Sequence, residues 1–212
     1  MRNLSFILVI LFFVSFVSAL DMSAKLDSNV IVRDYENSLN FTLKIENATN
    51  GIYNLYTLSD ISISPSSIFN ITEPYTEKIF TIKPTENLNV KGYYTFTYTL
   101  NYRDFEKIDK KMTVNLVDLE DIIKIWSESI SIEDETIVFY VENKENVNLT
   151  EISAKFSSIL FETEELFDLG PFEIKTFVVG ADLKKIKETK AGVYVIESIF
   201  NTKNGEKKIK GN

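Results

Sequence analysis

A chain of 212 residues, 44% of them apolar, is long enough for one large domain or two small ones and can fill their cores. It contains no Cys and no His, which excludes thiol nucleophiles, imidazole bases, disulfides and nearly all transition-metal centres. A net charge of −8 repels phosphate backbones and anionic lipid headgroups, so nucleic acid is not an expected partner.

The first predicted element is an export signal. "MRNLSFILVILFFVSFVSAL" (1–20) has one cation, Arg2, then an apolar run, then Val17-Ser18-Ala19 at the positions a signal peptidase reads. Residues 1–19 are read as a secretory signal peptide. The alternative is an uncleaved anchor, although the run falls slightly short of the roughly 20 residues a spanning helix needs. Export predicts a secreted or cell-surface protein whose stability rests on packed cores, since no disulfide is available. Membrane association follows only if the signal stays uncleaved or the chain continues to an anchor.

Strands follow in order, in a chain with 16 Phe and 10 Tyr. In "NFTLKIEN" (40–47) Phe41, Leu43 and Ile45 share one face. "DISISPSSIF" (60–69) and "EPYTEKIFTI" (73–82) come next. In "GYYTFTYTLN" (92–101) Tyr94, Phe96, Tyr98 and Leu100 face inward, opposite Tyr93, Thr95, Thr97 and Thr99. A closing strand spans 112–116.

The second half repeats the order. "TIVFYVEN" (136–143), "EISAKFSSIL" (151–160), "GPFEIKTFVV" (170–179) and "GVYVIESIFN" (192–201) match at separations of 96, 91, 97 and 100 residues, measured Asn40 to Thr136, Asp60 to Glu151, Pro74 to Pro171 and Gly92 to Gly192. One helical turn is expected at "DLKKIKE" (182–188). The unit is a domain of about a hundred residues, giving 20–118 and 119–212. Only 117–121 lies between them, predicting a semi-rigid pair. "KKIKGN" (207–212) is a short counterpart of "KKMTVNLVDL" (110–119), in which only Ile209 can pack. The last strand of the second domain is therefore expected to be truncated, so that either the polypeptide continues or this edge docks a partner.

A strand ending in Glu-Asn ("KIEN", "YVEN"), a strand beginning Asp/Glu-Ile-Ser, then "LGPFEIKTF" (169–177) and "AGVY" (191–194) resemble the immunoglobulin-like modules of archaeal and bacterial surface proteins, of the CARDB or S-layer-associated type. The resemblance implies an all-β chain of two tandem immunoglobulin-like β-sandwich domains after the signal peptide, with spacer, adhesion or accessory roles. The first copy departs from the pattern with Glu73-Pro74-Tyr75 in place of Gly-Pro-Phe. Each proline is expected to open a strand, with Tyr75 or Phe172 and then Phe80 or Phe177 pointing into the core. Tyr94 and Tyr194 resemble a tyrosine corner.

Site candidates are few. Asn40, Asn47, Asn70 and Asn148 head glycosylation sequons. Asp118, Glu120, Asp121 and Asp134 are hard-oxygen candidates for Ca²⁺, set against the plainer reading of a solvated acidic surface, and no cofactor is expected. Val193, Val195 and Ile199 make an outward column too apolar for water, covered by a neighbouring loop or by a partner. No catalytic pair emerges, so an enzyme is not expected. The function read from the sequence is a non-enzymatic secreted or cell-surface spacer and adhesion protein, contacting other surface proteins or glycans or self-associating through the edge of the second domain. The alternatives are a carbohydrate-binding accessory module, which needs a row of exposed aromatics, and a periplasmic-type chaperone, which needs a basic cleft between domains.

Overall fold

The computed structural model describes residues 19–33, 35, 38–65, 67–102, 106–131, 133–202 and 205–211, so the expected signal segment lies outside the described residues except for Ala19. The described chain is all-β, with two short helices. The first half holds β1 (Asp21–Leu26), β2 (Val30–Val32), β3 (Leu39–Glu46), β4 (Gly51–Thr57), β5 (Ile61–Ser64), β6 (Ile68–Ile71), β7 (Tyr75–Pro84), β8 (Gly92–Tyr102) and β9 (Glu106–Val117). They form two sheets, in the orders β1-β3-β7-β5 and β2-β9-β8-β4-β6. The second half holds α1 (Leu119–Ile122), β10 (Ile123–Ser127), β11 (Thr136–Asn143), β12 (Leu149–Ser157), β13 (Glu162–Leu169), β14 (Ile174–Gly180), α2 (Leu183–Glu188), β15 (Ile196–Thr202) and β16 (Gly205–Gly211). Its sheets run β10-β11-β14 and β13-β12-β15-β16.

Alternation builds the layers. In β3, Leu39, Phe41, Leu43 and Ile45 are buried while Asn40 and Glu46 are exposed, so one face of that sheet is apolar. Phe41 meets Tyr98 of the facing sheet edge-on, with ring centroids 5.2 Å apart. The second half packs the same way: Phe139 of β11 lies 4.9 Å from Phe156 of β12, and Phe177 of β14 lies 5.0 Å from Phe167 of β13. Full burial of each such ring contributes about 2–3 kcal/mol. Two separate apolar cores result, one between each pair of sheets.

The proline frames behave differently from the sequence expectation. Phe80 and Phe177 are buried, but Tyr75 is 51% and Phe172 63% exposed. Tyr75 stands at the first position of β7 and its hydroxyl donates to Glu77 Oε1 at 2.6 Å. Phe172 sits in the turn before β14 with φ +56°, which aims its side chain away from the sheet. The pinned tyrosine of the first half is Tyr53, not Tyr94. Tyr53 is 1% exposed, donates to Thr49 O at 2.9 Å and accepts from Thr49 N at 3.0 Å, closing the β3–β4 turn on itself. Tyr53→Phe is expected to cost about 1 kcal/mol in chemical denaturation; no loss would show that the turn holds without its hydroxyl.

Strand pairing also corrects the internal match. Leu55 of β4 pairs with Leu100, and Ala154 of β12 pairs with Phe200. Since Leu100 and Phe200 are matched through Gly92 and Gly192, β12 corresponds to β4, not to "DISISPSSIF". In the first half the chain leaves β4 for an excursion in which β5 joins β7 and β6 returns to β4; in the second half β13 pairs directly with β12. Alternation identifies a strand but not its neighbour, so two strand-like runs were exchangeable by sequence alone.

The closing strand described in the second half is paired with β15 along all of Gly205–Gly211. β16 pairs with β15 from Ile196–Gly211 to Thr202–Gly205, and Ile209 is 6% exposed. Gly211 is pressed against β10: a Cβ there would lie 2.4 Å from Ile125 O and 2.7 Å from Ile125 Cβ. Gly211→Ala must therefore push two strands apart and is expected to cost about 2 kcal/mol, read as a lower denaturation midpoint. An unchanged midpoint would mean that β16 does not seat against β10.

Candidate functional site

A cleft of about 410 Å³ opens at one end of the second core. One wall is the strand end and loop from Ser127 to Ile130; the other is the segment from Thr189 to Tyr194 that leads from α2 to β15. Ile137, Leu160, Phe161, Ile186 and Ile196 supply an apolar floor. α2 sets the position of the second wall. Its N-cap Asp182 accepts from Lys185 N at 3.1 Å, its C-terminal Thr189 donates through Oγ1 to Lys185 O at 2.5 Å, and Ile186 is anchored in the core.

The polar groups on the rim are engaged locally. Glu128 accepts from the Tyr140 hydroxyl, and that hydrogen bond, with burial, raises the tyrosine pKa. Ser158 Oγ accepts from Leu160 N at 3.0 Å, and the Tyr194 hydroxyl donates to Lys190 O. Tyr194 thus makes the upstream backbone contact expected of it, but ahead of β15 rather than within it. The cleft's chief resource is its apolar floor, which suits binding of an apolar group.

The three apolar interface candidates separate. Val193 lines the cleft mouth and is 84% exposed, Val195 beside it is 44% exposed, and Ile199 is half-buried in β15 opposite Lys208. The run expected as a strand over 192–201 starts later, because β15 begins at Ile196.

Three of the four carboxylate candidates, Asp118, Glu120 and Asp121, lie elsewhere, where the two halves meet. Asp118 is 9% exposed; its Oδ1 accepts from Arg33 Nε at 3.0 Å and Nη2 at 2.5 Å, and its Oδ2 lies 3.3 Å from Lys91 Nζ. Asp121 accepts from Lys91 at 2.8 Å and from Asp118 N at 2.9 Å. Burial pushes the Asp121 carboxyl up, but Lys91 and the Asp118 N–H outweigh it, and its pKa is lowered. Glu120 is exposed, and Asp134 accepts from Ser131 N at 2.5 Å in its own turn. No group of three potential ligands converges among the described residues. The solvated acidic surface anticipated at the junction is instead a neutralised cluster, because Arg33 and Lys91 arrive from loops far away in sequence.

Strand β2 ties this junction together. Ile31 is buried in the first core, while Val30 and Val32 are buried in the second. The connecting residues Val117, Leu119, Ile122 and Ile123 are all buried as well. Tyr35 packs against the second core and donates its hydroxyl to Thr150 O; burial, then Asp168 and Glu151, raise its pKa. None of Arg33, Lys91 or β2 was singled out by sequence reasoning, although three consecutive apolar residues at 30–32 were a visible sign of burial on both faces.

The sequon residues Asn40, Asn47, Asn70 and Asn148 are all exposed. Trp126 and Tyr140 form a stacked pair, 5.2 Å apart and 21° from parallel, with Lys124 Nζ 4.6 Å from the Trp126 ring centroid.

No family model matches the chain, and no curated protein matches it. Among solved structures it is similar to a protein of unknown function from Porphyromonas gingivalis W83, 11% identical with a TM-score of 0.31 over 90% of this chain and 97% of that one. It is also similar to the YadV chaperone, 11% identical with a TM-score of 0.29 over 90% and 99% of the two chains. A third is the periplasmic chaperone SfaE, 10% identical with a TM-score of 0.30 over 89% and 98%. Likeness at this level carries no argument about the present chain.

Proposed function

We propose that this chain is a non-enzymatic secreted or cell-surface spacer with an adhesive role, built from two immunoglobulin-like modules of the CARDB or S-layer-associated type that meet near Asp118. The observation that carries the reading is the buried junction. A spacer transmits position only if its modules cannot swing, and here one strand contributes side chains to both cores while Arg33 and Lys91 clamp the connecting turn. Two features weigh against the alternatives: Trp126 is engaged by both Tyr140 and Lys124 rather than set in a row of exposed rings, and the cations at the junction are paired with Asp118 and Asp121.

Pulsed electron paramagnetic resonance tests this directly. Spin labels at Ser62→Cys and Glu164→Cys, both exposed positions in different halves, should give one narrow distance distribution. A broad or bimodal distribution in the unmodified background would overturn the spacer reading. Export is tested separately by the intact mass of protein recovered outside cells, expected to begin at Leu20.

A further inference from the structure

Edge strands are protected differently in the two halves. β13 stands at the end of its sheet beside β12, and its outward positions Glu162, Glu164 and Asp168 are exposed carboxylates around Leu166. Charge on an edge strand discourages other chains from pairing with it. β6 holds the matching place in the first half, at the end of its sheet beside β4, and its sequence, Ile-Phe-Asn-Ile, carries no charge. Phe69 and Ile71 pack on the first core, which turns Ile68 and Asn70 outward. Asn70 lies directly opposite Ile52 of β4 in the pairing, and Ile52 is 64% and Ile68 60% exposed. The uncharged edge thus presents two isoleucines to water, with Asn70 next to both.

We infer that Asn70 is an N-glycosylation site whose oligosaccharide covers Ile52 and Ile68 and shields the β6 edge. The sequon Asn70-Ile71-Thr72 is held for it by the fold: Ile71 is buried, while Asn70 and Thr72 on either side of it are exposed. The other sequon residues stand differently. Asn47 already donates Nδ2 to Ala19 O at 3.3 Å, Asn40 faces Thr81 within the body of its sheet, and Asn148 lies between the buried Val147 and Leu149 in the loop pinned by Asn143. The co-substrate is a polyprenyl-phosphate-linked oligosaccharide. Asn70 Nδ2 forms a bond to the anomeric carbon of the first sugar, the bond from that carbon to the phosphate oxygen breaks, the lipid phosphate leaves, and the amide gives one proton to a base of the transferase. The C–H faces of the first sugar rings then lie over the two isoleucines, and the bulk of the chain of sugars blocks approach of another strand. The inference rests on the export reading, because the lipid-linked donor is met across the membrane.

Protein recovered outside the cells that make it, weighed intact and mapped by mass over the peptide containing Asn70, decides this. The expected result is a chain beginning at Leu20 with sugar mass on Asn70. That mass should be lost in Asn70→Gln and in Thr72→Ala and kept in Thr72→Ser, because the transferase reads a hydroxyl at the third position. Asn70 and Thr72 are both exposed, so these variants leave the core intact. Loss of the glycan in Asn70→Gln should raise the binding of an apolar dye and self-association in sedimentation, and Ile52→Thr with Ile68→Thr in that background should reverse both. A chain that begins at Leu20 with Asn70 unmodified overturns the inference and leaves export standing, whereas a chain retained with Met1 in place overturns both. A glycan on Asn70 whose loss changes neither dye binding nor association overturns the shielding role.

Discussion

Asp118→Ala is expected to lower the stability of the protein by about 3 kcal/mol. Asp118 is nearly buried and holds two cations, of which Arg33 retains only 22% of its side-chain exposure. Removing the carboxylate leaves that guanidinium poorly hydrated and unpaired, which costs far more than the pair itself contributes. The double change Arg33→Met with Asp118→Leu should recover most of the loss, since it removes both charges together. Urea denaturation of the single and double variants decides this, and a loss below about 1 kcal/mol for Asp118→Ala would show that the pair is effectively solvated.

The same cluster gives a pH dependence whose sign is fixed. Asp121 has a lowered pKa in the folded state, so its contribution is present above the ordinary aspartate range and is lost as pH falls through the folded value. Lys91 has a raised pKa, chiefly through its hydrogen bond to Asp121, so its contribution is present below the ordinary lysine range and is lost as pH rises through the folded value. Asp121→Asn should flatten the acid limb of the stability profile.

Asn143→Leu is expected to cost about 3 kcal/mol, measured in the same way. Asn143 is fully buried, donates to Val147 O at 2.6 Å and Gly170 O at 2.9 Å, and accepts from Glu145 N at 3.1 Å. It fastens the β11–β12 loop to the turn that carries Gly170 and Pro171. Leucine would remove the Asn143 bonds to the Val147 carbonyl and the Glu145 N–H and one of the two donors to the Gly170 carbonyl, which keeps Glu173 N at 3.2 Å, each loss worth about 1 kcal/mol. The counterpart Asn47 is exposed at φ +58°, with one bond to Ala19 O at 3.3 Å, so Asn47→Ala should cost no more than about 1 kcal/mol. Equal losses at the two sites would mean that the shared Glu-Asn ending has one role, contrary to this geometry.

The two asparagines show where sequence reading stops. Both end the same strand motif, yet only one becomes a buried pin, held by the β11–β12 loop and by the Gly170 carbonyl that the β13–β14 turn brings to it. The sequence alone determined the all-β character, the inward faces of 40–47, 92–101 and 136–143, the short helix after Asp182 and the existence of a repeat, because a period of two and a preceding cap are local properties. Strand partnership is not local. Alternation left "DISISPSSIF" and β4 interchangeable as the match for β12, and it placed Tyr75 and Phe172 inward although turn geometry turns them out. The acidic stretch after Val117 looked solvated because its cations, Arg33 and Lys91, lie 85 and 30 residues away from Asp118 and Asp121. Tertiary structure decided the charge state of the junction and the burial of β2 in both cores. Each of these depends on which distant segments are brought into contact.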